Sequence, residues 1–393
     1  QDITLSNYII KEGRSFLLVF NKWDLIKNQY NEQRKMVSKI QEIFFDAKGI
    51  NILFISSKEE RYKRKVYETI KEIYKNSMLG SLAADALAMP VHWYYDTQKL
   101  DRDYGRLTSY VAPQNPHSDS ILWRSRYIPR NARGNILHDQ IKYWGQREIH
   151  YHQFLAAGEN TINYQLGKEL YLTILEYGAY DSDKWLARYI ECMLDGKWHK
   201  DTYLEEYHRA FFDNYAKGLA PVDCGIDDIH IGGLSQVPCL LSGLTETGVV
   251  GLDKQLLQVE KHVRLTHRNQ HVSDAAAAMT HILYSLREGL DLRKALDNHA
   301  KPWASSGQFD TWTHFSDRTV IGRHLTMACY LPESFTASLY LCWKYAEDFS
   351  AGILANAHCG GDNCHRGAVI GALLGAANGV PQEWIQGLVK APV

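Results

Sequence analysis

The sequence predicts a mainly α-helical protein, with a compact all-helical domain over residues 77–393 preceded by a small α/β segment over residues 1–76. Three observations carry this. From Ser77 onward, apolar and small residues recur at helical spacing in one stretch after another, with no comparable alternating strand pattern. Before Ser77, two short apolar runs are each followed by charged, helix-favouring sequence, the order expected of α/β layering with a parallel sheet. Near the carboxyl end, a Gly-Gly turn runs into a helix of small residues, which suits close packing against a neighbour.

In residues 1–76 the apolar runs are SFLLVF (Ser15–Phe20) and INILFISS (Ile50–Ser57). The first is followed by NKWD (Asn21–Asp24), and the second ends in SSK (Ser56–Lys58). These resemble the guanine-reading elements of GTPases, and EGRSFLLVFNKWDLI resembles the second GTP-binding domain of the tandem Der-type GTPases. The resemblance implies that Asp24 reads the guanine edge and Asn21 holds the loops. Phosphate binding needs a GxxxxGK[ST] loop whose amides and lysine cradle the phosphates, and the sequence contains none. The segment therefore reads as a truncated GTPase domain, and GTP or GDP is not an expected partner.

The helical part opens on MLGSLAADALAMPVHWYY (Met78–Tyr95) and continues through Asn163–Ala179, Tyr203–Gly218, Val272–Leu290 and Thr336–Asp348. Between the first two, Leu100–His150 is rich in Pro, Gly and Tyr and reads as a long excursion over the surface or the site. The closing stretch, His358–Gly379, is HCGGDNCHRGAVIGALLGAANG. Gly360 and Gly361 permit a sharp turn, and Asp362 falls at a helix start, where a carboxylate caps amides or holds a cation. Gly367, Gly371 and Gly375 then share one helical face, which lets another helix approach closely.

AADALAMPVH (Ala83–His92), AGENTIN (Ala157–Asn163) and GGDNCH (Gly360–His365) resemble, in order, the opening helix, the middle ligand set and the closing loop of the ADP-ribosylglycohydrolase family, in a divergent, J-crystallin-like branch. The resemblance implies an all-helical hydrolase that uses divalent metal, Mg²⁺ or Mn²⁺ ahead of Zn²⁺, to cleave ADP-ribose from a modified protein or a small ADP-ribosyl compound. Breaking a bond at an anomeric carbon passes through an oxocarbenium-like state and needs an activated water and a stabilised leaving group. On this footing Glu159, Asp362 and His92 are the candidate catalytic groups, and Asp362, Glu159, Asn160, Thr161 and His365 the candidate metal ligands. Asp85, His152, Gly360, Gly361, Thr266 and His267 are candidates to line the substrate.

Departures from the family pattern carry as much information. Cys364 and His365 stand where the family has oxygen ligands, and a hard ion such as Mg²⁺ prefers oxygen. Together with His358 and Cys359 they form an inventory that suits tetrahedral Zn²⁺, although neighbours on one short loop point apart. The alternative function is thus a catalytically inactive member kept as a binding or structural protein. Asp227, Asp228 and His230 in GIDDIHIGGL offer a second lining of the cleft, or a turn. In WHKDTYLEEYHRAFF (Trp198–Phe212), helix capping is the stronger reading of Asp201, Thr202 and Glu205.

With 44 basic and 45 acidic side chains among 393 residues, the chain has no charge excess to attract nucleic acid, and its mixed-sign run Lys58–Lys65 reads as a solvated helix face. The longest apolar run is far short of the roughly 20 residues that span a bilayer, so no membrane partner is expected. Seven irregularly spaced cysteines and no secretory leader point to reduced thiols and a cytoplasmic setting.

Overall fold

The computed structural model describes residues 18–20, 25–26, 29–43, 52–54 and 60–391. Asn21 and Asp24, with Ser56–Lys58, lie outside the described residues. Strand β1 (Leu18–Phe20) pairs in parallel with β2 (Ile52–Phe54), Val19 opposite Leu53, and helix α1 (Gln29–Ile43) connects them. This is the strand, helix, strand order the apolar runs predict.

Helix α2 (Glu60–Ala88) runs unbroken across the expected boundary at residues 76 and 77. It stops where Pro90 removes a backbone donor, and the chain tightens into a 3-10 turn, Met89–Val91, rather than continuing to Tyr95. Helix α3 (Thr97–Tyr104) takes in the first five residues of the stretch expected to be irregular, and residues 105–150 are irregular as predicted apart from short 3-10 turns. The remaining helices are α4 (Ile162–Tyr177), α5 (Ser182–Leu194), α6 (Glu206–Ala216), α7 (Val237–Glu246), α8 (Leu252–Val263), α9 (Gln270–Arg287), α10 (Leu292–His299), α11 (Ser306–Thr313), α12 (Glu333–Lys344), α13 (Phe349–His358), α14 (Asn363–Asn378) and α15 (Gln382–Gln386).

At the centre, α14 lies against α2 along the small-residue face. A Cβ on Gly371 would sit 2.1 Å from the Gly80 carbonyl oxygen, and one on Gly375 would sit 2.5 Å from that of Asn76. Backbones this close leave no room for a side chain. Gly371→Val should therefore destabilise the fold by roughly 1–3 kcal/mol or more through overpacking. Gly307→Ala, whose Cβ would meet nothing within 4 Å, should instead stabilise α11 by about 0.5–1 kcal/mol. Thermal denaturation of the two variants checks this, and equal shifts would contradict the packing argument.

Candidate functional site

The α2–α14 pair brings the opening and closing motifs together. Gly360 and Gly361 adopt φ of 66° and 63°, and Cβ atoms there would meet the carbonyl oxygens of Tyr94 and Met327 at 2.3 and 2.2 Å. Only glycine fits both demands. The turn is pinned by Arg366, fully buried, whose guanidinium donates to the carbonyls of Gly360 (2.6 Å) and Met327 (3.3 Å) and to Asn356 Oδ1 (3.2 Å). Asp362 then caps α14 by accepting from the His365 amide.

Asp362 is the hub. His365 Nδ1 lies 2.7 Å and His92 Nε2 3.2 Å from its Oδ1, while Oδ2 has no hydrogen-bond partner and faces His230 Nε2 at 3.5 Å. A line of contacts runs outward from His92: its Nδ1 is 2.8 Å from His152 Nε2, and His152 Nδ1 is 2.5 Å from Asp201 Oδ1. On the other side, His365 Nε2 is 3.0 Å from Asn163 Nδ2 and 3.5 Å from Glu205 Oε1. All of these side chains are buried.

Burial sets the electrostatics. It would raise Asp362, but His365, through its charge and hydrogen bond, and then His92 overcome that and hold the carboxyl well below its ordinary range. Burial would lower His365, yet Asp362 lifts it to about 9. The two form a buried ion pair. Desolvation pushes His92 and His230 down to about 3 and His152 to about 4, so these imidazoles are neutral. Glu205 is raised, chiefly by burial. The site therefore holds two carboxyl groups whose affinities for the proton are driven apart.

The middle motif folds differently from the expected ligand set. Asn160 Nδ2 and the Thr161 amide each donate to Asp85 Oδ2 at 2.9 Å, and the Thr161 hydroxyl donates to Oδ1 at 2.8 Å. Burial lifts Asp85 to about 7 against these three bonds. Asp85, Asn160 and Thr161 thus tie the loop to α2 and have little left to offer an ion. Glu159 turns the other way, accepting from the Ala156 amide (2.9 Å) and pairing with Lys200 at 3.0 Å. The structure does not bring it to Asp362, because an exposed lysine and a local turn satisfy it first.

Other expected positions sort in the same way. His267 is buried behind the site, bonded to Thr266 Oγ1 at 2.9 Å and packed on Tyr207; the cap of α9 is Asn269. His358 accepts from the Leu107 amide through Nε2 (2.9 Å), so the His358, Cys359, Cys364, His365 set does not converge. All seven cysteines are buried and unpaired. Asp201 and Glu205 provide no side-chain cap for α6: Asp201 is buried against His152, and the Glu205 carboxylate faces His365. Their placement among Tyr, Leu and Phe was the available signal for burial. His230 does line the site, held by the Gly232 amide donating to its Nδ1 at 2.8 Å.

Groups able to hold a metal are present: His92, Asp362 and His365; His92, His152 and Cys364; and His230, Cys329 and Asp362 each place three donor atoms within 4.8 Å of one another. These are imidazole-rich sets with one ionised oxygen donor at most. They do not fit a pair of hard ions that prefer octahedral oxygen.

Among the described residues no helix is long and apolar enough to cross a membrane. An amino-terminal segment is similar to the GTPase Der of Rickettsia canadensis (strain McKiel), 36% identical over 78 residues, or 19% of this chain and 17% of that protein. That of Orientia tsutsugamushi (strain Ikeda) is 43% identical over 60 residues, or 15% of this chain and 13% of that protein. The chain thus spans less than a fifth of the length of these GTPases. A solved structure described as an ADP-ribosylglycohydrolase-related protein complex shares the helical fold, with a TM-score of 0.51 at 17% identity, covering 82% of this chain and 94% of that one. The family model for ADP-ribosylglycohydrolase matches residues 67–392, from α2 through the closing loop and beyond, and on that match the chain belongs to the ADP-ribosylglycohydrolase family.

Proposed function

We propose that this protein hydrolyses the glycosidic bond of an ADP-ribosyl or related ribosyl adduct, on a protein side chain or a small acceptor, in a reduced cytoplasmic setting. The observation that carries the reading is the pair of carboxyl groups flanking His365. Asp362 is held ionised with Oδ2 unbonded, while burial raises the proton affinity of Glu205 above the ordinary carboxylate range. Opposed proton affinities of this kind divide the labour of glycoside cleavage between a base and an acid. Asp362 Oδ2 takes the proton of the attacking water and faces the developing oxocarbenium charge. Glu205 protonates the departing group, and neutral His92 orients the water. Glu205 replaces Glu159 as the second carboxyl in this assignment.

Residues 1–76 are read as a truncated GTPase-like segment without a nucleotide role, since the phosphate loop is missing from the sequence. A second reading, an inactive member acting as a binding or structural protein, is favoured by the hydrogen bonds that His92, His152, Asp362 and His365 make with one another. One assay separates the two. Incubation with ADP-ribosylated arginine, ADP-ribosylated serine and small ADP-ribosyl compounds should release free ADP-ribose, and Glu205→Gln should slow release by about 10²–10⁴-fold, as for loss of a general acid. No release from any of these substrates would leave the inactive reading standing.

A further inference from the structure

We infer that the buried centre binds one borderline divalent transition ion, of which Zn²⁺ is the probe, on His92 Nε2, Asp362 Oδ1 and His365 Nδ1, in place of paired magnesium ions. These three donors lie within 4.8 Å of one another, and both nitrogens approach the same carboxylate oxygen, at 3.2 and 2.7 Å. Two imidazoles and one carboxylate suit zinc and its neighbours.

The surroundings of the two histidines support the assignment. A ligating imidazole must keep its proton on the other nitrogen, and that nitrogen needs an acceptor. When Asp201 accepts the His152 Nδ1 proton at 2.5 Å, His152 Nε2 is left to accept the His92 Nδ1 proton at 2.8 Å. That tautomer moves onto Nδ1 the proton that His92 Nε2 shares with Asp362 in the ion-free centre, so that Nε2 offers its lone pair to the ion. For His365 the neighbour at Nε2 is the Asn163 amide, 3.0 Å away. A half-turn of that amide exchanges its oxygen for its nitrogen, giving His365 an acceptor and turning a donor toward His208 Nε2, 2.8 Å from the other end, and toward the Tyr207 hydroxyl, while the ion displaces the Nδ1 proton that His365 shares with Asp362.

The competing sets fail on the same reasoning. His230 Nδ1 already accepts the Gly232 amide proton, so Nε2 carries the imidazole proton and cannot ligate. The set containing Cys364 uses His152 Nε2, which the line to Asp201 commits to His92. Magnesium finds no convergent oxygens here: among the described residues no group of three donors gathers more than one carboxylate, Lys200 and the Ala156 amide hold Glu159, and the Asn160–Thr161 pair occupies Asp85.

The full chain, stripped with chelator and dialysed, should take up one equivalent of Zn²⁺ by calorimetry and elemental analysis, with a rise in melting temperature, because an ion that binds only the folded state stabilises it. Millimolar Mg²⁺ should neither raise the melting temperature nor displace Zn²⁺. Asp201→Asn, which touches no ion, should weaken Zn²⁺ binding by about 10–100-fold at unchanged stoichiometry, because the amide loses the carboxylate's charge and can turn its NH₂ to His152 Nδ1, which shifts the imidazole proton to Nε2. No zinc uptake, displacement by Mg²⁺, or uptake indifferent to Asp201→Asn would each overturn the assignment. It stands apart from the hydrolytic reading, since one bound zinc without turnover keeps this inference and removes that one.

Discussion

Between pH 7 and pH 5 the protein is expected to unfold cooperatively. Burial lowers eleven imidazoles: those of the partly exposed His299 and His358, and those of nine buried residues, His92, His117, His150, His152, His199, His208, His230, His262 and His267. A group lowered on folding contributes stability that is present above its unfolded value, here 6.5, and lost as the pH falls toward its folded value. Below pH 6.5 the unfolded chain takes up these protons before the folded chain does. Four acids work in the opposite direction: Asp85, raised to about 7, Asp201, raised well above its ordinary value, and Glu205 and Asp228, also raised, all chiefly by burial, hold their protons to higher pH than the unfolded chain does. The imidazoles outnumber the acids by several protons, a slope on the order of 5–10 kcal/mol per pH unit.

A native state with the usual margin of about 5–15 kcal/mol cannot survive much more than one or two such units. On the alkaline side the loss is shallower. His365 is raised to about 9, so its contribution is full below 6.5 and disappears as the pH climbs through 9. Ellipticity and tryptophan fluorescence followed from pH 9 to pH 4 measure both limbs. A fold that persists unchanged at pH 4.5 would mean that the histidines are not buried as described.

Asp362→Asn should have the largest effect of any single substitution at the site. Asparagine preserves the shape of the side chain and its ability to cap α14, so the helix start survives. The charge does not. His365 loses its counterion in a buried setting, and removing one member of a buried pair costs roughly 3–5 kcal/mol. Melting temperature should fall accordingly, and the alkaline limb attributed to His365 should flatten, because the largest lift on the imidazole, the charge and hydrogen bond of Asp362, is gone. Release of ADP-ribose should drop by about 10²–10⁴-fold relative to the unsubstituted chain, the scale of a lost general base. A variant that turns over at the original rate would remove Asp362 from the chemistry, and an unchanged alkaline limb would remove the ion pair.

Much of the fold was legible because its signals are local. Apolar spacing marked α4, α6, α9 and α12 within a few residues and only the carboxyl-terminal part of α2, and the Gly367, Gly371, Gly375 repeat announced the close approach of α14 that Gly80 completes. Asp362 was legible for a similar reason, since a carboxylate after two glycines has few other uses. Glu159, Asp201 and Glu205 were not. An isolated Glu159 offers a ligand as readily as an ion-pair partner, and the sequence does not show that Lys200 lies 3.0 Å away. Asp201 and Glu205 carry the local pattern of helix caps, which hides their burial among histidines drawn from distant segments.

By itself, then, the sequence determined the helical class, the family and the loop that anchors its site, because periodicity, glycine geometry and short motifs are properties of neighbouring residues. Tertiary structure alone decided which titratable groups share the centre. Proton affinity and ligand choice depend on desolvation and on charges a few ångströms away in space, and here those charges come from positions 92, 152, 201, 205, 230, 362 and 365.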